Sequence, residues 1–217
     1  MGNFRKWNSK GSERLQTTDE LHVMMFVSRN KDNKNVDGYE ERRKVFLTTK
    51  AEDDEVLLSE FDTFASLGVK GERSRMYRSV NARSQEGTQN ALMHYLLDNN
   101  VNVASLPALA VRVAMSKENA VTKRRLFDFD VNDERKVKDF VQDLVERGVD
   151  EETVHVYKTP NGYAVVMERG ADLRGLVDTM PDQRQVDKKD KGPWKWTKEE
   201  VGYKFDDLVL VKWADKV

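Results

Sequence analysis

The chain of 217 residues contains no cysteine. That rules out disulfides, thiolate metal sites and a cysteine nucleophile, and it fits a reducing interior. It also lacks any apolar run long enough to span a membrane. The N-terminal residues are polar where a signal peptide needs an apolar segment. The sequence therefore predicts a cytoplasmic protein with no membrane attachment, in the host cytoplasm if the source is viral. Histidine is scarce, with His22, His94 and His155 scattered along the chain. No serine–histidine pattern accompanies them, so nucleophilic catalysis has no visible apparatus. A net charge of one sign is missing too, because 37 Lys and Arg stand against 38 Asp and Glu. A sum near zero can still hide a basic groove opposite an acidic face. No internal repeat is visible.

What is present is a well-hydrated chain with 35% charged residues and a mean hydropathy of −0.75. Its length suits one domain, or a core domain with an extension. Residues 1–20 are polar and aperiodic and read as a flexible arm. Residues 21–120 read as an N-terminal α+β part: strands over 21–27 and 44–48, a helix over 53–67 closed by Gly68, a strand over 73–80, and helices over 84–97 and 106–115. Ser84 is a natural cap for the second helix.

From residue 121 to 217 the pattern sharpens. A strand over 124–130 is followed by Asn132-Asp133, both good cap residues. A helix over 134–147 then carries Val137, Phe140, Val141 and Leu144 on one face and ends at Gly148. Strands over 153–158 and 163–168 flank the turn Thr159-Pro160-Asn161-Gly162. A short helix over 171–180, a polar loop over 181–198 and a final strand over 207–213 complete the chain. The fold class this predicts is α+β. Its core is a ferredoxin-like or RRM-like β-α-β-β-α-β sheet with an N-terminal α/β extension, both helices on one face and the other face open.

The strand over 124–130 reads Arg-Arg-Leu-Phe-Asp-Phe-Asp. Side chains alternate along a strand, so Phe127 and Phe129 point to the helices while Leu126, Asp128 and Asp130 share the open face. Unpaired carboxylates are costly to bury, which favours that assignment. Two acids at this spacing can hold Mg²⁺ or Mn²⁺, hard ions that take oxygen ligands and bring substrate phosphates with them. The bland alternative is that Asp130 ends the strand and Asp128 pairs with a neighbouring Arg. A second stretch, residues 73–83, carries Arg75, Arg78 and Arg83 into the helix start at Ser84 and suits phosphate contact. Its alternative is an edge strand using arginine against edge pairing. Trp194 and Trp196 in the polar loop offer either base stacking or packing of the loop.

An Asp-x-Asp at Asp128 and Asp130, followed about thirty residues later by Thr159-Pro160-Asn161-Gly162, resembles the archaeo-eukaryotic primase and primase-polymerase superfamily. The resemblance implies catalytic, metal-binding roles for Asp128 and Asp130, with Asp207 as third metal ligand. It also implies a nucleoside triphosphate bordered by Asn161 and Gly162, with Lys158 beside Arg75, Arg78 and Arg83 on the phosphates, and single-stranded nucleic acid as partner. Tyr163-Ala164 stands where the family carries a histidine; His155, on the paired strand, is the histidine that could face the same surface. Two-metal nucleotidyl transfer, or nucleotide and nucleic-acid binding without polymerisation, follows from this resemblance. A non-catalytic RRM-like regulatory module and a small viral or accessory protein that binds another protein are the readings of other classes.

Overall fold

The computed structural model describes residues 20–173, 175–177, 195–197 and 199–217. Within them lie two antiparallel sheets and five helices: β1 (Glu20–Ser28), α1 (Asn30–Asn33), β2 (Arg42–Thr48), α2 (Glu55–Ser66), β3 (Arg73–Ser79), β4 (Arg83–Ser84), α3 (Gln85–Asp98), α4 (Leu106–Ala114), β5 (Arg124–Phe129), α5 (Glu134–Glu146), β6 (His155–Thr159), β7 (Gly162–Glu168), β8 (Gly202–Lys204) and β9 (Leu208–Asp215). The elements predicted from periodicity form close to their expected ends. The arm over 1–20 lies outside the described residues except for Glu20, which begins β1. The helix expected over 171–180 does not form in its described part, which is turn and an isolated bridge from Val177 to Trp196; residues 178–180 lie outside. The expected loop over 181–198 falls outside apart from residues 195–197.

The described chain divides into two units, one within Lys123–Asp207 and the other running from Glu20 to Thr122 together with Leu208–Val217. In the second unit the strands run β2-β1-β3-β9, with β4 paired to the start of β1. One face of this sheet buries Met24, Phe26 and Met76 against Leu57 and Phe61 of α2. The Phe26 ring meets Phe46 and Phe61 edge-on at 5.2 and 5.4 Å. Asp54 caps α2 by accepting from the Val56 and Leu57 amides. The helix ends with Leu67 as C-cap and Gly68 just after it, as expected, and Gly68 also makes room: a Cβ there would sit 2.6 Å from Cδ of Glu72, which pairs with Arg42.

In the first unit the order is β6-β7-β5-β8, every neighbouring pair antiparallel. Phe127 and Phe129 project from β5 onto Phe140 of α5, each with ring centroids 5.0 Å apart. Trp196 closes the cluster edge-on to Phe140 at 5.4 Å and donates from Nε1 to Asp143 Oδ2 at 2.7 Å. It is buried and serves the core, not base stacking; Trp194 lies outside the described residues. Helix α5 starts on an Asp133 cap and ends in a Schellman turn. There Gly148, at φ 86°, donates to Val145 O and Val149 donates to Leu144 O.

One expectation is corrected. The final strand, expected in the same sheet as β5, pairs instead with β3 in the other unit. The fourth strand beside β5 is the three-residue β8. Both are antiparallel pairings, and nothing in the local sequence of β9 distinguishes one edge from the other.

Phe140 touches three aromatic rings, two from β5 and one from Trp196. Phe140→Ala is expected to cost about 3–5 kcal/mol, read as a lowered denaturation midpoint with an unchanged slope.

Candidate functional site

The packing of Phe127 and Phe129 inward forces Asp128 to the opposite face of β5. Register then sets its neighbours. Across β7 it faces Ala164, and beyond Ala164 lies Tyr157 of β6; across β8 it faces Gly202. No side chain larger than a methyl group stands directly opposite Asp128 on either adjoining strand. Its carboxylate is partly exposed. This face is not open along its whole length, however: Leu126, Ala164 and Val166 are buried. Asp130 follows the end of β5 and is exposed.

The turn lies against the same end of β5. Thr159 pairs with Gly162, leaving Pro160 and Asn161 as a two-residue loop. Gly162 is pressed against the β5 backbone so closely that a Cβ would fall 1.9 Å from Phe129 O. Lys158 bonds the Asn132 side-chain oxygen, two residues beyond Asp130, and its ammonium sits 3.9 Å from the Tyr163 ring centroid. The two short motifs, about thirty residues apart in sequence, thus share one end of one sheet.

Asp207 also arrives here, although not on a strand of this sheet. Lys204 Nζ lies 3.3 Å from Asp128 Oδ2 and 3.4 Å from Asp207 Oδ2. Burial lowers the Lys204 pKa, but the charges of Asp128 and Asp207 and their hydrogen bonds outweigh it, and the net value lies above the ordinary lysine value. Lys204 was not singled out from the sequence. The only signal was the alternation in Gly202-Tyr203-Lys204, where Tyr203 packs on Phe127 at 5.5 Å and sends its neighbours to the Asp128 face.

His155 stands on the Asp128 face, but in line with Val166 and Leu126, one pair along from Asp128. It is buried, and burial first, with the Arg124 charge second, lowers its pKa to about 4. At neutral pH it is an uncharged ring.

The arginine set expected at phosphates is placed differently. Arg75, Arg78 and Arg83 are all buried, and they belong to the other unit. Arg75 pairs with Asp32 at 2.5 Å, and Arg78 with Glu52 at 3.2 Å. The Arg75 and Arg78 guanidinium groups pair with carboxylates within the fold. A buried arginine needs such a partner. The expected anion site at the start of α3 is likewise used internally, since Ser84 Oγ accepts from the Gly87 amide.

A divalent ion can be tested against this donor set. Among the described residues no group of three Asp, Glu, His or Cys side chains is placed to hold a metal. Two carboxylates, Asp128 and Asp207, nonetheless converge on a single cation, the Lys204 ammonium. No family model matches the chain, and neither a curated protein nor a solved structure matches it.

Two outcomes follow from this geometry. Because His155 titrates near 6.5 when unfolded and near 4 when folded, only the unfolded chain takes up its proton between those values. Stability is therefore lost as pH falls through that window, and His155→Leu should remove about 2 kcal/mol of the loss between pH 7 and pH 5, measured by urea denaturation at each pH. Gly162→Ala must displace the turn from the end of β5, lowering stability by about 1–3 kcal/mol, checked by thermal melting.

Proposed function

We propose that this protein is a primase-polymerase-like nucleotide-binding protein. In this reading Asp128 and Asp207, with Asp130 exposed just past the end of β5, meet the triphosphate with Mg²⁺ or Mn²⁺ held by at most two of these carboxylates, and Lys158, Asn161 and Gly162 border the nucleotide. The observation that carries it is the convergence of the Asp-x-Asp strand end and the Thr-Pro-Asn-Gly turn at one end of β5, with Asp207 sharing a cation with Asp128. The strand order β6-β7-β5-β8, with α5 following β5, supports a ferredoxin-like core. Ala164 and Gly202 leave space beside Asp128 for a ligand phosphate.

The metal, when bound, neutralises triphosphate charge that two carboxylates alone would repel. The chain's own residues do the rest. Asp128 is aimed by the inward packing of its two phenylalanine neighbours. Lys158 is held over Tyr163, at the mouth of the turn, where its positive charge can meet a phosphate. His155, neutral and set back by one pair, leaves proton transfer without a group opposite Asp128. For that reason binding of nucleotide and single-stranded nucleic acid is the primary reading, and nucleotidyl transfer its stronger form. An RRM-like module that stacks bases on open-face aromatics is disfavoured, because Phe127 and Phe129 are in the core.

A fluorescent nucleoside triphosphate titrated in Mg²⁺ should bind saturably, and EDTA should abolish the binding. Asp128→Ala with Asp130→Ala should weaken it at least about tenfold, the scale of losing charge-assisted ligands, with the circular dichroism spectrum unchanged. Equal affinity in the double variant would overturn the reading. Extension of a primed template by the wild type, absent in the double variant, would establish the transfer form.

A further inference from the structure

Helix α3 has 14 residues, of which only Thr88 is buried. Helix α4 covers one side of it, where Cζ of Arg112 lies 5.1 Å from the Tyr95 ring centroid. Residues two apart on a helix point in nearly opposite directions, so Met93 and Leu97 turn away from that side. Met93, Leu96 and Leu97, at i, i+3 and i+4, make one patch and are 51, 39 and 83% exposed. Val103, beyond the end of the helix, is 76% exposed. A helix of this length depends mainly on the packing of an apolar face. Here that face meets water, and a contiguous apolar patch of this kind marks an interaction surface.

Charge, or its absence, says what fits the patch. Residues 87–116 contain only two ionic side chains, Asp98 and Arg112, in a chain of which 35% is charged. Depletion of charge is what distinguishes the centre of a protein interface from the rest of a surface. Along the stripe that holds Met93 and Leu97, the polar residues Gln89, Asn90 and Asn100 carry amides, which both donate and accept. Such a stripe offers nothing to attract a partner of one charge, and it is its own complement. We propose that this face joins two copies of the chain, α3 against α3 in antiparallel sense, across a two-fold axis beside Leu96 and Leu97. Helical spacing then sets Leu96 opposite the second copy's Leu97, Met93 opposite its Asn100 and Asn90 opposite its Val103, so no like charges meet. The extent suffices: a stable interface takes about 20–30 residues a side, and within Gln85–Ala114 only Thr88, Leu109 and Ala114 are buried. The inference uses none of the residues around Asp128 and stands apart from the nucleotide reading.

Sedimentation velocity of the full chain between about 1 and about 100 μM should show a reversible monomer–dimer equilibrium. Leu97→Glu places two like charges beside the axis and should raise the dissociation constant at least about tenfold, with the circular dichroism spectrum unchanged because Leu97 is exposed. An equimolar mixture of Leu97→Glu with Leu97→Lys should recover the dimer, since opposite charges then meet. The chain has no cysteine, so a single introduced thiol reports contact between copies. Leu97→Cys should cross-link to a disulfide dimer under mild oxidation, whereas Leu67→Cys, equally exposed to solvent on the C-cap of α2, should not. A monomer at every concentration would overturn the proposal, whether the patch then serves a different protein or the chain's own residues 1–19. A dimer indifferent to Leu97→Glu, or equal cross-linking of the two cysteine variants, would place association elsewhere and overturn it too.

Discussion

The contact on which the first unit depends is that of Phe127 and Phe129 with Phe140. A strand has a side-chain period of two, so burying these two rings on α5 leaves no freedom in where Asp128 points. A slip of one residue would bury the carboxylate and expose both rings. The energetic gap between those registers is large, because one buries aromatic surface and the other an unpaired charge. Trp196 adds to the same cluster and links it to Asp143, tying the segment before β8 to the helix. Core packing therefore fixes the direction in which Asp128 points.

Charge is handled differently around Arg75 and Arg78 than around Asp128. Among residues 20–122, arginines that look available in sequence are buried against Asp32 and Glu52. In Lys123–Asp207 the acids of interest stay partly exposed and share a lysine. A buried pair is held by its own desolvation cost, since separating it strands a charge in a low dielectric. A partly exposed pair is weak and exchangeable. By that criterion the charges most easily separated are those around Asp128.

Much of the fold was legible in local pattern. The spacing of Val137, Phe140, Val141 and Leu144, with Asp133 before and Gly148 after, marks α5 to within a residue of its ends. The Pro160-Asn161 turn is equally local. Of the site, Asp128, Asp130 and the turn could be read, and so could the inward direction of the two phenylalanines. Lys204 and Gly202 could not: a three-residue edge strand has too few positions to show a period, and its pairing depends on contacts distant in sequence. The partners of Arg75 and Arg78 were hidden for a related reason. They lie 43 and 26 residues away, so no helical or strand spacing connects them.

The sequence by itself determined where most of the elements begin and end and which face of β5 and α5 is apolar. It did so because capping, turn geometry and side-chain periodicity act over a few residues. Only the tertiary structure decided that β9 leaves the β5 sheet to pair with β3, and that β8 takes the place beside β5. Only it could show Asp207 reaching Asp128 through Lys204. Those choices are made by long-range hydrogen-bond pairing and by the match of buried charges. An apolar alternation such as Leu208-Val209-Leu210-Val211 fits more than one sheet edge equally well until the rest of the chain is in place.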